Sequence, residues 1–318
     1  MEKNWFKTFA ETVFSEYGIR FTRKEKDRFL DFYQNEFLKL GFCEHDITVH
    51  KNWYGGKNLI VGPLDAEVFV TAHYDTPGNN AFLALPFSAV FGGLIATLLG
   101  LLLMLLILSP TLILDLLQVN VTYRSHLELV WCFFIMFLLF LNKNKNNVND
   151  NTSGTLGVYH CAAAIINNPE LKSKCAFILF DNEEKMLLGS MAFSRWHRKH
   201  HPNTREPAVI NLDCIALGSV LVLAADKKSV AWPMLPKLAE YFQSHGFDTM
   251  IKASNFTEYM SDHFCFPKGL MLIMLERSRL GPLYIPNIHS GKDKEYDLEQ
   301  LERVCSCTVS YLATTNAL

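Results

Sequence analysis

Between Thr76 and Leu114 the chain contains no Asp, Glu, Lys or Arg. A run of that length without formal charge is too greasy on every side to be a surface element of a globular domain. Other absences narrow the reading. There is no surplus of one charge: 30 basic residues face 32 acidic ones, leaving a formal net charge of −2, so no field draws nucleic acid. The eight cysteines form no Cys-x-x-Cys pair, and only Cys305 and Cys307 lie close together. That excludes a readable disulfide framework and suggests reduced thiols that fill space. No apolar h-region follows Met1 to Lys7, so no cleavable signal peptide is expected.

What remains is a chain of 318 residues, long enough for one large α/β domain or two small ones. Residues 21–40 place Phe21, Phe29, Phe32, Tyr33, Phe37 and Leu38 among charges at helical spacing, which predicts an amphipathic helix. Short β-branched or apolar runs predict strands at 59–61, 68–72, 176–180, 208–212, 220–224 and 270–275. Helical patterns fall at about 154–167, 187–199, 233–245 and 297–314. Strands alternating with helices predict an α/β sheet covered on both faces.

The apolar segment, roughly 81–142, interrupts this pattern. Ala81 to Ser109 is long enough to cross a bilayer, which needs about 20 apolar residues. Leu129 to Leu141 is fully apolar but short; it either spans with the help of Leu127 and Glu128 or enters part-way. The segment is therefore expected to be a transmembrane hairpin. Two spans return the chain to its starting side. Lys143 and Lys145 flank the second run, whereas the loop between carries only Arg124, so the rest of the chain is expected in the cytoplasm, on the cell membrane. The Asn/Lys tract 142–149 reads as a flexible return from membrane to domain.

Five short motifs carry chemistry. His73-Tyr74-Asp75 closes a strand, and side chains at i and i+2 share a face, so Asp75 can orient His73 as a metal ligand. Asp150-Asn151-Thr152-Ser153-Gly154 precedes a helix. Asp181 to Ser190 follows a strand and contains adjacent carboxylates, Glu183 and Glu184, so that one can bind metal while the other handles protons. Asn211-Leu212-Asp213 ends the next strand, and His289 sits in a late loop before Asp293. His73, the Glu pair and Asp213 all fall at carboxyl ends of predicted strands, where open α/β sheets bind ligands. Two histidines and three carboxylates suit two zinc ions sharing one bridging carboxylate.

In order and spacing the set resembles the co-catalytic di-zinc aminopeptidases, the family of bacterial leucyl aminopeptidase and aminopeptidase S, over about 20–80 and 143–318. The resemblance implies a three-layer α/β/α zinc-peptidase domain with a mixed central sheet, here interrupted by the hairpin. By it, one zinc takes His73 and Asp213, the other takes Glu184 and His289, and Asp150 bridges them. Glu183 is the implied general base and acid, with Asp75 beside His73. Metal-assisted hydrolysis follows, in which Glu183 moves a proton from water to the leaving amine. The implied substrate is a peptide with a free N-terminus.

Tyr259 to Phe264 resembles the family's Ser-Asp-His stretch, which makes Asp262 and His263 candidate substrate contacts. Met186 departs from the family, which has Gly there, and the insert is a larger departure. The insert's implied partners are the lipid bilayer or another membrane protein. Two other readings keep the fold: an inactive membrane scaffold or receptor, and a single-zinc enzyme like the glutaminyl cyclases. The stretch Arg195 to His201 is a cationic helix end, solvated or in contact with anionic headgroups.

Overall fold

The computed structural model describes residues 4–53, 55–77, 144–202, 204–227, 229–255, 258–279 and 281–314, together with scattered positions from 101 to 134. The other positions of the expected hairpin, 81–142, lie outside the described residues. Among the described residues, no helix is long and apolar enough to cross a membrane.

Among the described residues, nine strands form one mixed sheet. They are β1 (Ile47–Lys51), β2 (Lys57–Val61), β3 (Val68–His73), β4 (Cys175–Phe180), β5 (Ala208–Leu212), β6 (Val220–Ala225), β7 (Thr249–Ala253), β8 (Gly269–Arg277) and β9 (Leu283–Tyr284). The order is β1-β2-β4-β3-β5-β8-β6-β7, with β9 against β8. The centre, β4-β3-β5-β8, is parallel, so four carboxyl ends open on one edge. The two strands that close the left side, β1 and β2, are antiparallel.

Alternation along each strand sorts the two faces. Leu59, Val61, Val68, Val70, Ala72, Phe177 and Leu179 join the larger core, which holds the aromatic residues of α1 (Trp5–Tyr17) and α2 (Arg23–Leu40). The same core takes α3 (Gly154–Ile165), α6 (Met234–Ser244) and α7 (Leu298–Thr314). The intervening residues Ile60, Phe69, Ala176, Ile178 and Phe180 face the other way, onto Phe193 of α5 (Leu188–His200). A short helix, α4 (Pro169–Lys174), leads into β4. Both faces are thus covered, but unequally. Each fully buried large apolar side chain contributes about 1.5–3 kcal/mol, so the aromatic side carries most of the burial energy.

The α2 boundary is set locally. Thr22 accepts from the Glu25 amide and Glu25 reaches back to the Thr22 amide, a capping box that stabilises the helix by about 1 kcal/mol. The helix starts at Arg23, against 21 from the pattern, because Thr22 takes the cap.

Two expectations change. The sequence gives no signal for the edge strands β1 and β7, whose burial is partial rather than alternating cleanly. The tract 144–149 is not a flexible return but buried polar scaffold: Asn144, Asn147 and Asn149 are almost inaccessible. Asn147 donates to the Gly18 and Asn144 carbonyls at 3.1 Å, and Asn149 Oδ1 accepts from the Ala216 amide at 3.1 Å. Burying an amide costs free energy unless it is hydrogen-bonded; each of these amides makes such bonds through at least one of its atoms, while Asn147 Oδ1 and Asn149 Nδ2 have no hydrogen-bond partner among the described residues.

Candidate metal centre

At the carboxyl edge of the parallel strands, β3 delivers His73, the β4 turn delivers Glu183 and Glu184, and β5 delivers Asp213. Asp150 enters from the turn before α3. A Cβ on Gly154 would collide with the Leu212 carbonyl, so glycine lets this turn lie against β5. Asn151 fastens it there, donating to Leu212 O at 3.0 Å and accepting from the Cys214 amide at 3.2 Å. His289 sits in a loop with a left-handed backbone, φ 53°, and closes the cluster from the far side.

The distances are those of ligands around an ion. His73 Nε2 lies 3.4 Å from Asp150 Oδ1 and 3.9 Å from Asp213 Oδ1. His289 Nε2 lies 3.0 Å from Asp150 Oδ2 and 3.4 Å from Glu184 Oε1. Tetrahedral ligands about 2.1 Å from zinc sit roughly 3.4 Å apart. His73, Asp150 and Asp213 form one group of mutually close donor atoms, and Asp150, Glu184 and His289 form another. Asp150 belongs to both and turns a different oxygen to each histidine. His73 is 2% exposed and His289 25%, so the cluster opens toward His289.

Charge points the same way. Burial raises Glu183 well above the usual carboxylate range; His73 opposes the shift, and Glu184 and Asp262 reinforce it. Burial also raises Glu184 against the pull of His289, and Asp213 against that of His73. For Asp150 burial acts upward too, but hydrogen bonds with His289 and His73 outweigh it and hold the group low. Burial disfavours the charged form of both imidazoles, yet carboxylates, led by Glu183 at His73 and by Glu184 at His289, raise them well above their ordinary value. So many buried carboxylates with only two imidazoles is a deficit of positive charge, and divalent cations fit it.

The surrounding shell is tightly bonded. Asp75 does more than face His73: its backbone carbonyl lies 3.2 Å from His73 Nδ1, while its carboxylate accepts the Glu183 and Glu184 amides at 3.0 and 3.3 Å. Asp213 Oδ2 accepts from Ser261 at 2.7 Å, Ser261 from Asn211 at 2.9 Å, and Asn211 from Thr71 at 2.9 Å. Asp293 accepts the Asn149 and Asp150 amides at 2.9 and 3.0 Å and so fixes Asp150.

Of the candidate substrate contacts, the structure brings Asp262 to the cluster, buried and raised to about 7 by burial, which outweighs His73 and Ser190. His263 turns away: its Nε2 lies 3.1 Å from Ser254 Oγ, and burial lowers it to about 3. Met186 occupies a left-handed backbone position, φ 64°, where glycine is favoured, and its side chain is 59% exposed.

Sequence reasoning missed three positioning residues. Arg20 is fully buried, bonded to the Tyr17 and Tyr74 carbonyls and to Thr152 Oγ1, and lies over the Phe29 ring. Lys26 pairs with Asp181 beneath the Glu183 turn. Asp293 is the third. Each lies far in sequence from what it holds; only Asp293, four residues after His289, left a local trace.

Comparison with known proteins bears on the fold and the family. No curated protein matches the chain. Among solved structures, a Zn-dependent exopeptidase from Parabacteroides distasonis superposes with a TM-score of 0.63 at 13% identity, covering 98% of this chain and 97% of that one. The LapA aminopeptidase of Legionella pneumophila gives 0.61 at 13%, covering 96% and 69%. The glutaminyl cyclase of Porphyromonas gingivalis gives 0.62 at 14%, covering 97% and 96%. At such identities the likeness is one of fold. The peptidase family M28 model matches residues 138–303, just over half of the chain and inclusive of Asp150, Glu183, Glu184, Asp213 and His289. The chain belongs to peptidase family M28.

Proposed function

We propose that the protein is a membrane-anchored aminopeptidase with two zinc ions. The observation that carries the two-ion reading is Asp150, whose two oxygens face His73 and His289 separately. His73 and Asp213 would hold one ion and Glu184 and His289 the other, with Asp150 shared between the two groups. Bound zinc supplies Lewis acidity toward a carbonyl and lowers the pKa of water. Glu183 takes the proton of water and returns it to the leaving amine; its raised affinity for protons suits both halves of that task. Asp75 holds Glu183 and Glu184 by their amides, and Asp293 holds Asp150. The substrate is a peptide with a free N-terminus, entering from the His289 side.

The anchor is the segment 81–142. The described positions from 101 to 134 are mostly helical, and Thr111 Oγ1 donates to Glu128 at 2.9 Å, which joins the two halves. Among the described residues, eleven of the seventeen exposed large apolar side chains belong to this segment, including Leu116 at 84% and Val130 at 65%. Apolar surface of that extent favours lipid over water. The Asn144 amide donates to Pro77 O at 3.4 Å, so the insert leaves and rejoins the domain at one point beside Asp75. Anchoring there sets the mouth of the site toward the bilayer, with the domain in the cytoplasm.

The test is zinc content and aminoacyl-amide hydrolysis of the detergent-purified chain beside Glu183→Gln. About two zinc per chain with activity in the wild type alone is the expected result. One zinc with cyclisation of N-terminal glutamine would replace the peptidase by a cyclase. No zinc and no activity would favour an inactive scaffold.

A further inference from the structure

Outside the insert, six large apolar side chains are exposed among the described residues, and three of them share one face: Trp53 at 83%, Met186 at 59% and Phe264 at 39%. They line two adjoining cavities on α5, of about 250 and 450 Å³, which meet at Leu188, Met191 and Arg195. No Asp or Glu lines either cavity, whereas Lys51, Arg195 and Arg198 do. Arg195 and Arg198 form no ion pair among the described residues.

We infer that this face is a docking surface for an anionic lipid bilayer. Exposed indole and thioether groups enter the headgroup boundary, while the arginines and Lys51 meet phosphate charge. Charge complementarity selects the partner: apolar tips over cavities lined by cations and by no carboxylate fit a negative lipid surface better than an acid-balanced protein surface. Met186, held outward by its left-handed backbone, lies two residues from Glu184. Docking therefore brings the rim of the metal centre against the headgroups. The inference deepens the membrane reading of the insert, with which it shares a partner, and is independent of the peptidase chemistry.

The experiment uses the full chain with brominated phosphatidylcholine vesicles, with and without phosphatidylglycerol. Flotation with neutral vesicles reads the insert alone; bromine quenching of tryptophan, wild type against Trp53→Phe, reads this face. Quenching that rises with phosphatidylglycerol, and loses that rise in Trp53→Phe, is expected. Arg195→Gln and Arg198→Gln should each weaken the anion-dependent part about fivefold, and salt should suppress it. Equal quenching in neutral and anionic vesicles, or no difference in Trp53→Phe, would overturn the inference. So would arginine variants that raise KM for a soluble aminoacyl amide while leaving quenching intact, since the cavities would then hold substrate.

Discussion

The metal centre and the insert invert each other's chemistry. At the centre, charged and polar groups are buried, and Asp75, Asp213 and Asp150 are held by named hydrogen-bond partners. In the described part of the insert, large apolar groups are exposed. Water explains the first arrangement: buried carboxylates survive only with compensating bonds or cations. It does not explain the second, and that is the ground for the lipid setting we propose. The insert leaves and rejoins the domain at Pro77 and Asn144.

Substitutions can break either half. The largest effect should come from Glu183→Gln, lowering kcat by about 10²–10⁴ while zinc content by atomic absorption stays unchanged. A fall in zinc as well would make Glu183 a ligand rather than a base. Lys26→Met leaves the buried Asp181 carboxylate unpaired and should cost about 3–5 kcal/mol of domain stability in denaturant titration. Leu101→Lys, inside the first apolar run, should disfavour membrane insertion by about 2.5–3.5 kcal/mol, read as release from carbonate-washed membranes, with domain stability unaltered. Unaltered membrane retention, together with loss of a co-purifying protein, would instead make the insert a protein-docking element.

Two smaller effects sharpen the contrast. Asp75→Asn touches no substrate in this reading but loosens the Glu183–Glu184 turn, and activity or zinc affinity should fall about 10–100-fold. His160, packed between Trp5 and Phe6, is lowered to about 4 by burial. Its folded pKa lies below the unfolded value, so its contribution is complete above pH 6.5 and is lost as pH falls toward 4. His160→Gln should flatten the acid limb of Tm over that window; an unchanged limb would assign the acid sensitivity elsewhere.

The legible and the illegible parts divide by range. Strands such as Cys175–Phe180 and helices such as Leu298–Thr314 were readable because their period is local. Edge strands were not, since Thr249–Ala253 is half-exposed and lacks a run of apolar residues. The Asn tract looked flexible because polarity alone does not reveal that Asn147 reaches Gly18 across the chain.

The sequence by itself determined the order of the candidate metal-ligand residues, the strand ends that carry them and the charge-free insert, because each depends on residue type at short spacing. Only the tertiary structure decided that Asp150 turns one oxygen to each histidine, that Asp75 holds the Glu turn, and that Trp53, Met186 and Arg195 share a face. Those are relations between segments far apart in the chain, fixed by how the sheet packs and not by any local pattern.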